Sequence, residues 1–487
     1  SRRQRQMCIR DRGGTMLNHE KLDSNNVEDV MVLTEMQKSM LYHYVADIHT
    51  TDYFEQTSYD LTGKLDMDAL IKCWNEVAKE NEMLRTVFRW IGIRMPVQVT
   101  LKSMDIPVLL DDFSHVPVEE RQKKLLEIMK RERQKGIDLA KHPFWVNFLN
   151  WDVEYSIMII NCHHIITDGW SNAILLNEFF RQYLKLTGEE QPSIIRKGKY
   201  KEYVKWMVER DKEEEKSFWR NCLQGYLSQQ AAGRQKSGKQ SKVRYSIPLA
   251  EEQRKQLYRF AEEKEITLSC LLYSAWALLI HLVEKTDDIV FGTTVSGRPP
   301  EVENVDTVLG LFINTVFMRV SFYENQTIAD LLEKNSEFML NRREFEYASI
   351  SEISDYCGNL SLQELLKYVV VIQNYPVSKE LLTGTGLVKI ELNERFYKSE
   401  VEMLLGIRVF NEIIFDFDYN SSVFSDIEVE RLADDYISIL SQITATDSME
   451  VDTKPLSEIQ ITGTYFTKNE ENAVFNDIVD LESVDFD

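Results

Sequence analysis

The sequence predicts an α/β protein of two domains. Its 487 residues are enough for two substantial hydrophobic cores. Short apolar runs rich in β-branched residues alternate with segments of helical periodicity, and the order of strands and helices in the first half returns in the second. Hydrophobic residues make up 43% of the chain and charged residues 28%, which is typical of a globular protein.

The first half is predicted to form an α/β sandwich. A helix begins after Thr34, a residue suited to the N-cap, and places Met40, Leu41 and Tyr44 on one face. The further predicted elements are a strand near Thr57–Leu61, helices Met67–Lys79 and Pro117–Arg133, a strand Trp145–Trp151, an apolar strand Tyr155–Ile160 that leads into His163, and a helix Asn172–Leu186. Strands in a hairpin with flanking helices fit one layered lobe.

The second half follows a polar segment, Thr187–Lys199, where we place the domain boundary. A long helix is predicted from Tyr200 to about Leu223, followed by a Gly/Ser/Gln/Lys-rich loop over Gln224–Lys242. The remaining predicted elements are strands Val243–Ile247, Asp288–Phe291, Tyr368–Ile372, Lys389–Leu392, Glu400–Ile407 and Glu412–Tyr419, and helices Glu251–Lys264, Leu268–Glu284, Ile328–Arg343 and Asp426–Ile443.

The predicted organisation therefore has four parts. Residues 1–27 form an N-terminal arm, 28–199 the first lobe, 200–455 the second lobe and 456–487 an acidic tail. The first 16 residues carry five arginines and no hydrophobic periodicity, so we expect a non-native or disordered segment, with a functional basic arm as the alternative.

Charge and cysteine content exclude several classes of protein. The net charge of −22 argues against a nucleic-acid partner. The six cysteines are widely spaced and form no CxxC pair, which indicates free thiols in a reducing compartment. No apolar run reaches membrane-spanning length, so we expect a cytoplasmic protein that does not enter a membrane.

Two adjacent histidines, His163 and His164, lie where the apolar strand runs into a loop. Successive strand residues point to opposite faces, so only one of the two rings can face a given cleft. That geometry argues against a metal site, because two ligands must converge on one ion. One histidine is a candidate acid/base and its neighbour a packing residue, although a histidine at a strand end is more often structural.

The spacing His-His-x-x-x-Asp-Gly, here His163 to Gly169, resembles the core motif of the condensation domains of nonribosomal peptide synthetases. The superfamily also contains carrier- and coenzyme A-dependent acyltransferases. Other stretches resemble further motifs of this family: Leu33–His43, Leu84–Phe88, Tyr200–Trp206, Gly292–Pro299, Val308–Thr315 and Gln373–Pro376. The first of these is closest to the subtype that accepts a D-configured donor. The match to a sixth motif, around Glu346–Ser349, is poor.

The resemblance implies a role for each residue of the site. His164 is the catalytic histidine, acting either as a base or by orienting the acceptor amine through a hydrogen bond. Asp168 is a structural carboxylate that pairs with Arg85, with direct catalysis by Asp168 as the alternative. Gly169 gives backbone room beside a thiol arm and an N–H near a developing oxyanion. The supporting residues are His163, Asp168, Gly169, Trp170, Ser171, Arg85 and Asn314.

The resemblance also implies a fold and a reaction. Two chloramphenicol-acetyltransferase-like lobes form a V-shaped pseudo-dimer with a tunnel, which two phosphopantetheine arms enter from opposite faces. A donor acyl or peptidyl thioester on one carrier protein reacts with the amine of an aminoacyl thioester on another, and the domain, a monomer, binds no cofactor or metal of its own. The alternatives are an acyltransferase acting on a free amine or alcohol and a non-catalytic platform for docking carriers. An epimerase is disfavoured because Gly310–Thr315 keeps the condensation form.

The tail, residues 470–487, contains seven acidic residues and no basic one, interleaved with hydrophobic residues. Such a composition is typical of disorder. Its alternative function, by analogy with similar assembly lines, is that of a docking peptide for another synthetase subunit.

Overall fold

The computed structural model of the protein describes most of the chain. The described residues are 21–48, 50–63, 65–188, 196–226, 242–358, 360–375, 389–396, 401–410, 412–445 and 450–462. Most of the predicted arm, the 227–241 part of the predicted loop and the tail from residue 463 lie outside them, so the predictions for those segments stay untested.

Strands and helices alternate through the described residues. The strands are β1 (Val27–Val32), β2 (Phe54–Thr62), β3 (Thr86–Arg89), β4 (Val97–Leu101), β5 (Val108–Asp112), β6 (Phe144–Asp152), β7 (Tyr155–His163), β8 (Lys242–Pro248), β9 (Asp288–Val295), β10 (Asn314–Ser321), β11 (Tyr368–Gln373), β12 (Lys389–Phe396), β13 (Met403–Val409) and β14 (Ile413–Asn420). The helices are α1 (Glu35–Ala46), α2 (Met67–Glu80), α3 (Val118–Lys135), α4 (Gly169–Thr187), α5 (Tyr200–Glu209), α6 (Glu213–Leu223), α7 (Glu251–Glu263), α8 (Leu268–Glu284), α9 (Ile328–Arg342), α10 (Ile350–Tyr356), α11 (Leu362–Leu365) and α12 (Asp426–Thr444).

The first compact unit is built on a five-stranded sheet with the order β12-β2-β7-β6-β5. The central strand β7 pairs antiparallel with β2 and β6. In the β2–β7 register, Phe54 lies opposite His163 and Glu55 opposite Cys162. The central position of β7 gives the two histidines at its end a rigid support.

Helices cover both faces of this sheet because β7 is apolar on both sides. Ile157 and Ile159 pack with Leu125 and Ile128 of α3. The alternate residues Met158, Ile160 and Cys162 belong to the larger core, which includes residues of α2 and α4. At the centre of that core, the indole of Trp74 from α2 stacks on Phe179 from α4 with ring centroids 4.7 Å apart.

A small second sheet, β1-β4-β3, was not predicted from the sequence. Its strands are only four to six residues long, which is too short for a clear periodicity signal. It joins α1 through a buried pair of amides: Gln37 Nε2 donates to Gln98 Oε1 at 3.1 Å. The cap predicted at Thr34 is present, with Gln37 completing a capping box.

The second compact unit contains a six-stranded mixed sheet with the order β10-β9-β11-β13-β14-β8. The apolar helix α8 is almost completely buried and packs with α9 and α12 in the core of this unit. At its centre Trp276 lies edge-on to Tyr436 of α12, with ring centroids 5.8 Å apart.

The boundaries of the two units differ from the predicted ones. The first unit comprises residues 1–210, 296–313 and 375–399, and the second comprises 211–295, 314–374 and 400–487. The main crossing therefore lies after Arg210 and not after residue 199. At this point the helix predicted to run from Tyr200 to Leu223 is divided into α5 and α6: the backbone of Arg210 is extended, and Asp211 Oδ1 accepts the N–H of Glu213 at the start of α6.

Two segments from the second half of the sequence belong to the first unit. The predicted strand Lys389–Leu392 forms as β12, but it pairs antiparallel with β2 and so belongs to the first unit. Residues 296–313 also belong there. Strand propensity indicates that a segment is extended, but it does not indicate which sheet the strand joins.

No single helix in the described part of the chain is long and apolar enough to cross a membrane. Helices α7 and α8 reach that length and composition only when taken together, as a bent pair. Among the described residues, Cys73, Cys222, Cys270 and Cys357 are free thiols.

Candidate active site

His163 is the last residue of β7, and its ring is buried in the first unit. Nδ1 accepts the backbone N–H of Ile165 at 3.1 Å, and the ring contacts Tyr44 and Tyr53. Nε2 is buried without a hydrogen-bond partner among the described residues. Burial, with a smaller effect of the charge on His164, lowers the pKa of His163 to about 3. His163 is therefore a neutral packing residue, which is one of the two roles that strand geometry left open for this pair of histidines.

His164 begins a 3₁₀ turn, His164–Ile166, so its ring leaves the strand. Its side chain keeps 24% of its surface exposed, and Nε2 lies 3.7 Å from Oε1 of Glu55. Nδ1 is buried and has no hydrogen-bond partner within the described part of the chain. Of the two histidines, His164 alone can present a ring nitrogen to an incoming reactant while staying close to a carboxylate.

Glu55 was not identified from the sequence. It lies on β2, opposite Cys162 on β7, and is 4% exposed. Its Oε2 accepts from Asn172 Nδ2 at 3.4 Å and lies 4.0 Å from Cys162 Sγ. The available signal was a charged residue in a β-strand directly after Phe54, but the predicted strand began only near Thr57. An acidic residue buried in a sheet needs a specific partner.

Asp168 holds the active-site loop through backbone hydrogen bonds. Its Oδ1 caps α4 by accepting the N–H of Ser171 at 2.8 Å. Its Oδ2 accepts the N–H groups of Phe312 and Ile313 at 2.9 and 3.1 Å. The carboxylate is 1% exposed, so this arrangement agrees with a structural role and leaves no open oxygen for a reactant.

Trp170 and Ser171 bind the same distant segment. Ser171 Oγ donates to the carbonyl of Gly310 at 2.7 Å and accepts its N–H at 3.0 Å. Trp170 Nε1 donates to the carbonyl of Asp306 at 3.3 Å. Together with Asp168 they hold residues 306–313 against the start of α4 through hydrogen bonds. These three motif residues therefore organise the loop after His164.

The ionic partner of Asp168 is Arg298. Arg298 Nη2 lies 3.6 Å from Asp168 Oδ1 and donates to Ser171 Oγ at 3.1 Å. Its Nη1 donates to the carbonyls of Val305 and Val308. Burial lowers the pKa of Arg298, and the charge of Asp168 opposes that effect.

Arg85 does not form the predicted pair with Asp168. Its Nη1 donates to Glu28 Oε2 at 2.7 Å and to the carbonyl of Leu101, and its Nε donates to the carbonyl of Ala78 at 2.9 Å. Arg85 is 6% exposed, so the expectation that a buried arginine needs a partner was correct. The partner was wrong because Arg85 joins α2 to the small sheet.

The backbone room predicted beside Gly169 is filled by Tyr375. A Cβ added at Gly169 would lie 2.2 Å from Cζ and from the hydroxyl oxygen of Tyr375. The absence of a side chain at Gly169 thus serves the close approach of an aromatic ring in this structure.

Asn314 lies in the second unit and forms local hydrogen bonds. Its Nδ2 donates to the carbonyls of Glu346 and Ala348 at 2.8 and 2.6 Å. A polar residue in an apolar run either forms local hydrogen bonds or lines a cleft, and the structure shows local hydrogen bonds at Asn314. The contacts of Asn314 thus hold the turn before α10 and are not contacts to His164.

The arrangement of His164 and Glu55 is suited to proton transfer. Within the described residues, no group of three or more His, Cys, Asp and Glu side chains is placed to hold a metal ion. A partly exposed imidazole beside a buried carboxylate can accept a proton and stabilise the resulting charge.

The chain is similar to known proteins over most of its length. The family model described as Condensation domain matches residues 27–461. One subunit of the mycosubtilin synthase of Bacillus subtilis is 28% identical over 443 residues, covering 88% of this chain and 17% of that protein. One subunit of the plipastatin synthase of Bacillus subtilis (strain 168) is 30% identical over 423 residues, covering 84% of this chain and 16% of that protein.

The fold has known structural relatives. A crystal structure of the first condensation domain of the CDA synthetase superposes with a TM-score of 0.69 at 16% identity, covering 90% of this chain and 100% of that one. The chain spans about a sixth of the length of the two synthase relatives above. Because the family model covers most of the sequence, the chain belongs to the condensation domains of nonribosomal peptide synthetases.

Proposed function

We propose that this condensation domain forms an amide bond between a donor acyl or peptidyl thioester and the amine of an acceptor aminoacyl thioester. Both substrates are carried on the phosphopantetheine arms of carrier proteins. The observation that supports this most directly is the separation of the two histidines: His163 is buried, whereas His164 presents an exposed edge next to Glu55.

In the proposed reaction, the acceptor amine attacks the thioester carbonyl. A C–N bond forms and the C–S bond breaks. An acceptor that arrives as an ammonium loses two protons in all: one is released to solvent, and the other passes through His164 to the departing thiolate. An α-ammonium group has a reference pKa of about 8 and a histidine one of about 6.5, so proton transfer between them is feasible. Alignment of the two carriers supplies the rest of the acceleration through proximity.

The donor is proposed to be D-configured at its reactive residue. The support is the amino-acid sequence of the segment Leu33–His43, which is closest to the subtype that accepts a D-configured donor. Much of this segment forms α1 in the structure. Assays with donors of both configurations test this part of the proposal separately from the reaction type.

Intact-protein mass spectrometry of two separately loaded carriers tests the reaction. Wild-type protein and His164→Ala are each mixed with a donor-loaded and an acceptor-loaded carrier domain. We expect the donor mass to move to the acceptor carrier with wild type and the transfer to slow about 10²- to 10⁴-fold with His164→Ala.

Other outcomes of that experiment would favour other functions. Binding of both carriers without any transfer would indicate a docking platform. Transfer to a free amine or alcohol, but not to a loaded carrier, would indicate a simpler acyltransferase.

The cytoplasm is the proposed location, and carrier proteins together with a second synthetase subunit, held through residues 470–487, are the proposed partners. Free thiols at Cys73 and Cys270 support a reducing compartment. Deleting residues 470–487 should weaken transfer from a separate donor protein and leave transfer from an excess of isolated carrier domain unchanged.

A further inference from the structure

A buried carboxylate lies beside the His164 imidazole. Glu55 Oε1 is 3.7 Å from His164 Nε2, and the Glu55 side chain is 6% exposed. We propose that Glu55 is the residue that recognises the acceptor amine in its protonated form and holds it against His164. This inference rests on the proposed function, because it assigns the chemical class of the group that reaches His164.

The charge of the reacting pair supports this role. An ammonium beside a neutral imidazole carries one positive charge, and an amine beside an imidazolium carries the same charge after proton transfer. Removing such a charge from water without a partner is costly. A carboxylate next to both groups compensates the charge before and after the proton moves, so Glu55 stabilises the pair in either protonation state.

The geometry allows one ammonium group to contact both residues. A primary ammonium has three N–H donors. The exposed part of the His164 side chain gives access to the ring, and Nε2 is the ring nitrogen that lies near Glu55. A group that approaches Nε2 therefore comes within reach of Oε1 of Glu55 and can donate to both acceptors.

The position of Glu55 is set by neighbours on two other elements. Asn172 of α4 donates to its Oε2 at 3.4 Å, and Thr167 in turn donates from Oγ1 to Asn172 Oδ1 at 3.2 Å. Strand β2 lies between β12 and β7, so its backbone is paired on both sides. The carboxylate is thus oriented in advance, which reduces the entropic cost of binding an ammonium.

A consequence is discrimination between amines and alcohols. A hydroxyl is close in size to an amino group but carries no charge, so it gains no Coulomb attraction to the Glu55 carboxylate. The site should therefore favour amide formation over ester formation, and replacing Glu55 by an uncharged residue should remove that preference.

Binding of two matched acceptor analogues tests the inference. The probes are the glycyl and glycolyl amides of aminopantetheine, which differ only in an ammonium against a hydroxyl group and cannot react. Their dissociation constants are measured by calorimetry at pH 7 with wild type, Glu55→Gln and Glu132→Gln. We expect wild type to prefer the glycyl analogue about ten- to a hundred-fold, and Glu55→Gln to reduce the ratio to about one.

Glu132→Gln is the matched control. Glu132 is also a fully buried carboxylate in the first unit, but it pairs with Lys135 and Arg131 at 2.7 and 2.9 Å and not with His164. It should keep the wild-type preference. A Gln at position 55 keeps an oxygen that can accept from Asn172, and an unchanged urea midpoint would show that the variant is folded.

A second measurement uses wild type alone, so that the inference can be tested even if the variant does not fold. Raising the pH to about 10 neutralises the glycyl amine, so the preference should disappear there. A preference below about three-fold in wild type, or one that Glu55→Gln leaves intact, overturns the inference. Lack of transfer between loaded carriers in wild type, with the binding preference present, would overturn the proposed reaction and leave ammonium recognition by Glu55 standing.

Discussion

The Asp168 carboxylate accepts the backbone N–H of Phe312 at 2.9 Å, although the two residues are 144 positions apart. The same oxygen accepts from Ile313, and the other oxygen caps α4. This single side chain therefore sets the start of α4 and the course of residues 310–313. The Asp168 of the motif therefore acts as a structural residue that orients the loop carrying His164.

Asp168→Asn should be as destabilising as Asp168→Ala. An amide has one oxygen, so either the N–H of Ser171 or those of Phe312 and Ile313 would face an NH₂ group. We expect a loss of about 3 kcal/mol in the free energy of unfolding, measured with urea. Asp306→Asn is the control, since the contact of Asp306 to Trp170 uses its backbone carbonyl. An Asp168→Asn variant as stable as wild type would contradict this structural role of Asp168.

His164→Ala should abolish most transfer while changing stability little. Its ring is partly exposed and its Nδ1 makes no hydrogen bond within the described residues. We expect the free energy of unfolding to change by less than about 1 kcal/mol, whereas His163→Ala, which empties a buried site, should cost about 2 kcal/mol or more. Loss of activity that follows loss of folded protein in both variants would contradict this division of roles.

The buried His163 should make the first unit sensitive to acid. Its native pKa of about 3 lies below the unfolded value of about 6.5, so the unfolded chain binds a proton that the native protein does not. Its contribution is constant above about pH 6.5 and is lost progressively as the pH falls towards 3, by about 2 kcal/mol at pH 5. Urea midpoints measured from pH 8 to 5 should therefore fall more steeply for wild type than for His163→Asn. Parallel curves would exclude this residue as the cause.

Gly169→Ala should destabilise the protein because of Tyr375. Alanine normally favours a helix, but here its Cβ would lie 2.2 Å from the tyrosine ring. We expect a cost of about 2 kcal/mol, and less than about 1 kcal/mol when Tyr375→Ala is also present. Gly406→Ala is a suitable control, since its added Cβ would have its nearest neighbour at 3.6 Å. Equal costs with and without Tyr375 would show that the ring is not responsible.

Arg298 and Arg85 should differ when each is replaced by Met. Arg298→Met removes the cation beside Asp168 and the donor to Ser171, so both transfer and stability should fall, the latter by about 3 kcal/mol. Arg85→Met releases Glu28, which is 37% exposed and can be solvated. Transfer per folded molecule should then stay near wild type, as measured by mass spectrometry against the folded fraction. Loss of transfer per folded molecule with Arg85→Met, but not with Arg298→Met, would show that Arg85 and not Arg298 supports the active site.

Much of the secondary structure was predictable because it depends on local patterns. The helix Leu268–Glu284 was predicted to the residue, since a capping Thr267 and a long apolar segment define it. The hairpin of β6 and β7 also follows from side-chain periodicity. The position of the His164 ring does not, because a 3₁₀ turn begins at that residue. The helix over residues 200–223 was predicted as continuous, because the hydrogen bond of Asp211 that interrupts it leaves no periodicity signal.

The sequence by itself determined the α/β class, most of the elements and the position of the His-His-x-x-x-Asp-Gly segment between a strand and a helix. Only the tertiary structure decided that Asp168 pairs with Arg298, that Tyr375 lies on Gly169, and that Glu55 lies beside His164. Each of these contacts joins residues more than 100 positions apart. Periodicity and capping depend on neighbours within a few residues, whereas such contacts depend on strand order and register, which the packing of the whole unit decides.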